Sequence, residues 1–420
     1  MQKTILLLSA IFFSNFILAQ PQSNLAATWL NKNCIPVKYV KAENSLDDLN
    51  PLKDLIGDAR IVSLGECTHG SSEIFSMKHR MLEYLVKEKG FTIFSIEANM
   101  PEAYALNEYI VEGKGDPRKL MAGMHFWTWN TQEVLDMIEW MKKYNETAKT
   151  KIQFTGFDMQ FTVTASKLVR AYLNSKHPDV LYLLNEYDSV IEKKQTGKNE
   201  SPKNYARLKT ISAMLFDTLS AINTNNTDNQ FNWVLQNAKI LNQFSGNFFG
   251  KPSRDESMAE NIRWILDNNP GQKIVLWAHN EHIRMQKDKF GVVRMGNYLK
   301  DRYGDSLISI GFSTEEGTYT AATRGKGVDS SNILIPSQKK SCEYIFKQVA
   351  IGNFIVDLRN LSKTDERTSW FFNKTNIRML GAIKNDKFQF YEVVPAEDFD
   401  MLLFLRRTSS SRCFNISTEK

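Results

Sequence analysis

The feature that most constrains this chain is a set of short apolar runs dense in Ile, Val and Phe, at residues 59–64, 91–96, 152–157, 273–277 and 307–310. A half-exposed strand alternates apolar and polar residues, whereas a continuous run belongs to a strand covered on both faces, as in parallel sheets flanked by helices. Between the first two runs, Ile74, Phe75, Met81, Leu82, Leu85 and Val86 recur at helical spacing over residues 72–89, and Gly90 supplies a stop. The spacing predicts a strand, helix, strand unit. Pro101 suits the first turn of a next helix that ends at Gly113, and Thr131 caps another running through Tyr144. The expected fold class is α/β, a mainly parallel central sheet flanked by helices and carrying a large helical insertion.

That insertion is residues 160–268, which lack a comparable run and read as helices joined by polar loops at 193–203 and 223–229. It divides an α/β catalytic core into residues 20–159 and 269–400. Met258, Ile262, Ile265 and Leu266 form the stripe of the returning helix. Later strand-like pieces lie at 354–358, 379–383 and 388–394, and residues 401–420 read as a C-terminal tail, frayed after Arg406. At the other end, Lys3 precedes an apolar stretch over residues 4–18, below the roughly 20 residues of a membrane span. With Ala19 as a small residue at the cut, residues 1–19 read as a signal peptide. The expected location is outside the cytoplasm, periplasmic or secreted, without stable membrane insertion after cleavage.

Composition narrows the function classes. The 53 basic and 47 acidic side chains give a net charge of +6 with no run of like charge, so no nucleic-acid partner is expected. Cys34, Cys67, Cys342 and Cys413 lie far apart without a CxxC pair, which argues against a zinc ribbon and leaves one distant disulfide open.

Ionisable groups follow the apolar runs: Glu66 and His69 after the first, Glu97 after the second, Asp158 after the third, His279 after the fourth. Ligands of open parallel sheets sit at the carboxyl ends of strands, so these groups are expected to converge on a cleft. Each alone has a plainer reading, a carboxylate capping the next helix or a histidine bonded to a carbonyl. Gly65 and Gly70 bracket the first loop and let its backbone approach a ligand. A neutral imidazole at His69 takes a proton from water, with Glu66 or Glu97 as the carboxylate that fixes its tautomer. On the next helix Glu73 and Arg80 are two turns apart on one face, with Lys78 flanking, and Arg80 is either a cation for a developing oxyanion or a solvated surface ion pair. His279 enters the cleft while His282 supports its loop. Trp127 and Trp129 line an apolar pocket, although at least one of them is expected to be core.

Taken together, Gly65-Glu66-Cys67-Thr68-His69-Gly70, Lys78-His79-Arg80, Pro101-Glu102-Ala103, Gly156-Phe157-Asp158, Arg254-Asp255 with Met258-Ala259-Glu260-Asn261, and Trp277-Ala278-His279-Asn280 resemble the erythromycin esterase family over about residues 45–315. The resemblance implies a histidine that activates water to cleave a lactone or ester bond, including macrolide ring opening, with no cofactor and no metal. It implies His69 as general base, Glu66 and Glu97 as acidic partners or water-positioning groups, His279 as a second catalytic or oxyanion-contacting group, Arg80 as a supporting cation, and a small-molecule ester or lactone as partner. Glu73, Trp127, Trp129, Asp158 and Asn280 are the expected substrate contacts. Cys67 departs from the small alanine common in that family and invites a nucleophilic reading. Two competing functions are a metal-dependent hydrolase, in which the same histidines and carboxylates surround a divalent ion, and a noncatalytic ligand-binding protein of the cell envelope.

Overall fold

The computed structural model describes residues 21–195, 202–222 and 229–414. The leader reading at residues 1–19 and most of the two polar loops fall outside them.

All five apolar runs are strands. Before them comes β1 (Ile35–Pro36); the runs themselves form β2 (Ile61–Leu64), β3 (Ile93–Asn99), β4 (Gln153–Asp158), β5 (Ile274–Trp277) and β6 (Leu307–Thr323). After them follow β7 (Gly327–Ile333), β8 (Asn353–Asp357), β9 (Thr375–Arg378), β10 (Phe390–Val393) and β11 (Met401–Thr408). The helices that matter below are α1 (Ser72–Lys89), α2 (Met100–Glu112), α3 (Gln132–Asn145), α4 (Val163–Lys176), α5 (Leu181–Gln195), α6 (Pro202–Ile222), α7 (Asn229–Asn247) and α8 (Arg254–Asp267).

The chain divides into two compact units. The first comprises residues up to Ser95, Asp116–Gln153 and everything from Gly271 onward, and holds strands in the order β1-β8-β11-β6-β2-β5-β3. Its central four, β11, β6, β2 and β5, are mutually parallel, while β8 and β1 close one side antiparallel. The second unit takes Ile96–Gly115 and Phe154–Pro270. It contains the far end of β3, the neighbouring β4, and the helices α2 and α4–α8, in which α6 packs on α5 and α7, and α4 on α5 and α7. Residues 160–268 contain helices and no strand among the described residues.

The C-terminal region departs from expectation. Met401, Leu402, Leu403, Phe404 and Leu405 are buried between β6 and β8, so residues 401–408 are an interior strand, and residues 409–414 continue as hydrogen-bonded backbone rather than a frayed tail. An apolar run of this kind is the signature that marked the other core strands. The expected strand at 379–383 lies instead at β9, just upstream, paired with β10.

Helix α1 starts where Ser71 Oγ accepts the amide of Ile74 and stops at Gly90, whose φ of 69° is the left-handed conformation that glycine adopts freely. It is buried on nearly every side: Lys78, His79, Arg80 and Glu83 are all interior. Glycine is required on either side of the preceding loop. A Cβ on Gly65 would lie 2.1 Å from Asn280 Oδ1, and one on Gly70 2.0 Å from the backbone oxygen of Thr320. The close approach anticipated for these glycines is therefore made to the protein's own chain. Because a side-chain amide yields more readily than a β6 backbone, Gly70→Ala should destabilise more than Gly65→Ala, which itself costs about 1–3 kcal/mol by overpacking. Urea denaturation of the two variants checks the order.

His79 packs against Trp140 of α3 with ring centroids 5.5 Å apart. Burial pushes its imidazole down to about 3, with the nearby charge of Lys87 adding to the shift. The unfolded chain takes up a proton near the ordinary value of about 6.5, so this group stabilises the fold fully above that pH and loses its contribution as pH falls toward 3. Between pH 7 and pH 5 the stability of the parent relative to His79→Leu should drop by roughly 2 kcal/mol. Parallel denaturation series at the two pH values measure it, and identical slopes would contradict the buried neutral ring.

Candidate active site

β2 and β5 are parallel neighbours, with Leu64 opposite Trp277, so the residues that follow each strand leave the sheet side by side. From β2 the chain enters Gly65–Gly70; from β5 it enters Ala278, His279 and a single helical turn at Asn280–Ile283. The amide of Asn280 donates to the carbonyl of Glu66 at 2.9 Å and ties the two exits together.

The Glu66 carboxylate is fully buried. Its Oε1 lies 2.6 Å from His69 Nδ1, and its Oε2 accepts from Lys78 Nζ at 2.8 Å and from Trp277 Nε1 at 2.6 Å. The Lys78 ammonium, also buried, sits 4.4 Å from the centroid of the Trp277 indole. A carboxylate so placed accepts the proton on His69 Nδ1 as a hydrogen bond, which leaves Nε2 of that ring as the basic nitrogen. His69 retains 13% of its side-chain surface, enough for water to reach it.

The His279 ring lies with its centroid 4.9 Å from that of His69. Its Nδ1 accepts the backbone N–H of Glu281 at 3.3 Å, so the neutral ring carries its proton on Nε2. The two imidazoles thus present opposite faculties, a lone pair on His69 and an N–H on His279. Trp129, buried, stands edge-on to His69 at 6.1 Å and 88°, and also meets Trp277 and Phe75. Trp127 is half-buried.

In the second unit, the ends of β3 and β4 supply Glu97 and Asp158, and both are gathered by Arg254, the first residue of α8. Arg254 reaches Glu97 Oε1 at 2.6 Å and Asp158 at 3.1 and 2.7 Å, while Asp158 also accepts Met159 N and Gln160 Nε2. Asp158 is saturated by this set.

The sequence pattern of the family described as erythromycin esterase matches residues 86–408. The chain belongs to the erythromycin esterase family. A Bacillus subtilis (strain 168) protein named "Putative hydrolase YbfO" is 26% identical over 419 residues, covering 91% of each chain. Erythromycin esterase type II of Escherichia coli is 26% identical over 376 residues, 79% of this chain and 88% of that protein. A solved structure of a mutant erythromycin esterase in its open conformation is 18% identical and superposes with a TM-score of 0.67 over 89% of this chain and 97% of that one, which shows the shared fold. Membership of the erythromycin esterase family supports a hydrolase.

Several expected site residues have other work. The Arg80 guanidinium is committed to Asp48 and to the carbonyls of Tyr39 and Ser45, a buried anchor for residues 39–48 rather than a solvated pair or a cation at the imidazoles. Asn280 spends both ends of its amide on the backbone of Phe312 in β6, at 2.7 and 3.0 Å. Glu73 accepts from Thr408 and Ser409. Burial pushes the Cys67 thiol up to about 12, so no thiolate nucleophile exists near neutral pH. All four cysteines are free, and the disulfide left open by their spacing does not form.

The cation at Glu66 is Lys78. Ile74, Lys78, Met81, Leu82 and Leu85 share one face of α1 by their spacing, so a lysine in an apolar stripe was the available signal that a buried anion waits opposite. Lys78→Met leaves the Glu66 carboxylate unpaired in the interior and should cost about 3–5 kcal/mol. Adding Glu66→Gln should return much of that stability without restoring turnover. Thermal unfolding of the single and double variants tests the pairing, and additive losses would speak against it.

Proposed function

We propose that this protein is a carboxylic ester hydrolase that opens a lactone or ester with a water activated by His69. The observation that carries the reading is the pairing of His69 Nδ1 with Glu66 at 2.6 Å beside a second imidazole 4.9 Å away. Nε2 of His69 takes a proton from water as its oxygen attacks the acyl carbon; Nε2–H of His279 donates to the resulting oxyanion. When the tetrahedral adduct collapses, the carbon–oxygen bond to the alcohol breaks and His69 returns the proton to the departing oxygen. The products are one carboxylic acid and one alcohol, joined in a single molecule when the substrate is a lactone. Glu66 stabilises the transient imidazolium.

This reading needs no metal. Both Glu66 oxygens already face donors, and the Lys78 ammonium supplies the positive charge that a divalent ion would bring. Among the described residues no group of three or more His, Cys, Asp or Glu side chains is arranged to hold an ion. A macrolide lactone is the first substrate to try, given the name of the type II relative. We propose that residues 1–19 are a signal peptide and that the mature enzyme acts outside the cytoplasm; N-terminal sequencing of the exported protein should begin at Gln20.

Mass spectrometry of a macrolide and simple-ester panel incubated with the purified protein should show the gain of one water. His69→Ala should lower turnover at least about 100-fold while the protein stays folded. Loss of activity in chelator, restored by added metal, would favour the metal-dependent reading; binding without turnover, unaffected by His69→Ala, would favour a ligand-binding protein.

A further inference from the structure

Beyond β11 the described residues do not leave the fold. Residues 409–414 lie between the start of α1 and the start of α3 and bond to both in the same way, with an offset of three residues. The first amide of α1, on Ser72, donates to Ser409 O, and the first amide of α3, on Gln132, donates to Arg412 O, both at 2.9 Å. The second residue of each helix is a glutamate that accepts the amide of the same strap residue: Glu73 from Ser409 at 2.5 Å, Glu133 from Arg412 at 3.1 Å. The carbonyl two residues before each helix completes the pattern, Gly70 O accepting from Ser411 and Asn130 O from Phe414, again at 2.9 Å. Side chains repeat it, with Ser409 Oγ on Glu73 at 2.8 Å and Arg412 Nε on Glu133 at 3.0 Å.

Gly70 immediately follows His69, and Asn130 immediately follows Trp129, the indole that stands edge-on to the His69 ring. The strap therefore holds the carbonyl of the residue directly after each partner of that ring pair. It lies past residue 408, where the family match ends. We propose that the strap, residues 409–414, is a positioning element of the active site that sets Trp129 against His69 by clamping Gly70 and Asn130 together. The catalytic part of this inference rests on His69 being the base; the geometric part does not.

The test is truncation after Thr408, with imidazole-labelled protein in which the His69 resonance is assigned among six histidines by His69→Ala. The truncated protein should remain folded by circular dichroism, and its His69 resonance should split or broaden with an altered titration midpoint, while that of His177 is unmoved. Turnover number should fall at least tenfold with little change in KM, and a synthetic peptide of residues 409–420 should restore both signals. Where truncation unfolds the chain, the double variant Arg412→Ala, Phe414→Ala decides instead: both side chains keep some exposure, and their loss removes the Glu133 bond and the Arg118 contact at 4.5 Å. It should move the His69 resonance in the same sense. A folded variant with unchanged His69 resonance and titration overturns the proposal. Should the parent hydrolyse no ester, the hydrolase reading fails while the resonance still judges the strap.

Discussion

A carboxylate withdrawn from water needs donors on every side, because the cost of desolvating it is several kcal/mol and is recovered only through good geometry. Glu66 meets that demand with an ammonium from α1, an indole N–H from β5 and an imidazole from its own loop. Helix, strand and loop must all be in place before the charge is tolerated. The arrangement that makes His69 basic at Nε2 is thus the same one that fastens α1 to the sheet, and chemistry and packing are not separable at this point.

Around that carboxylate, the parallel register brings the ends of β2 and β5 together, and small residues let the chains close up. Gly65 admits the Asn280 amide, which bonds β6; Gly70 admits Thr320, whose amide donates to the Gly70 carbonyl that also accepts from Ser411. The loop bearing His69 is held by backbone on either side of the ring. Such over-determination is how a short loop keeps an imidazole within the narrow geometry that proton transfer requires.

The elements legible in the amino-acid sequence are those whose signal is local. Continuous apolar runs marked the covered strands, and Gly90 marked the end of α1, while its Ser71 cap emerges from the structure. β7 escaped notice because it is mostly exposed and polar, with nothing but pairing to β6 to define it. β11 carried the right signature and was read as tail for want of a following element. At the candidate site, the gathering of Glu66, His69 and His279 was readable from strand ends. Glu73, Arg80 and Asn280 were misassigned because spacing reports which face of a helix a residue occupies, while their partners lie as far away as Ser409, Asp48 and Phe312.

The two imidazoles owe their tautomers to different kinds of partner. His69 depends on a side chain, and no other residue type offers both oxygens of Glu66 at that reach. His279 depends on the main-chain N–H of Glu281, which survives nearly any replacement there except proline. Replacing Glu281 therefore leaves the His279 tautomer in place, whereas replacing Glu66 removes the partner that sets the His69 tautomer.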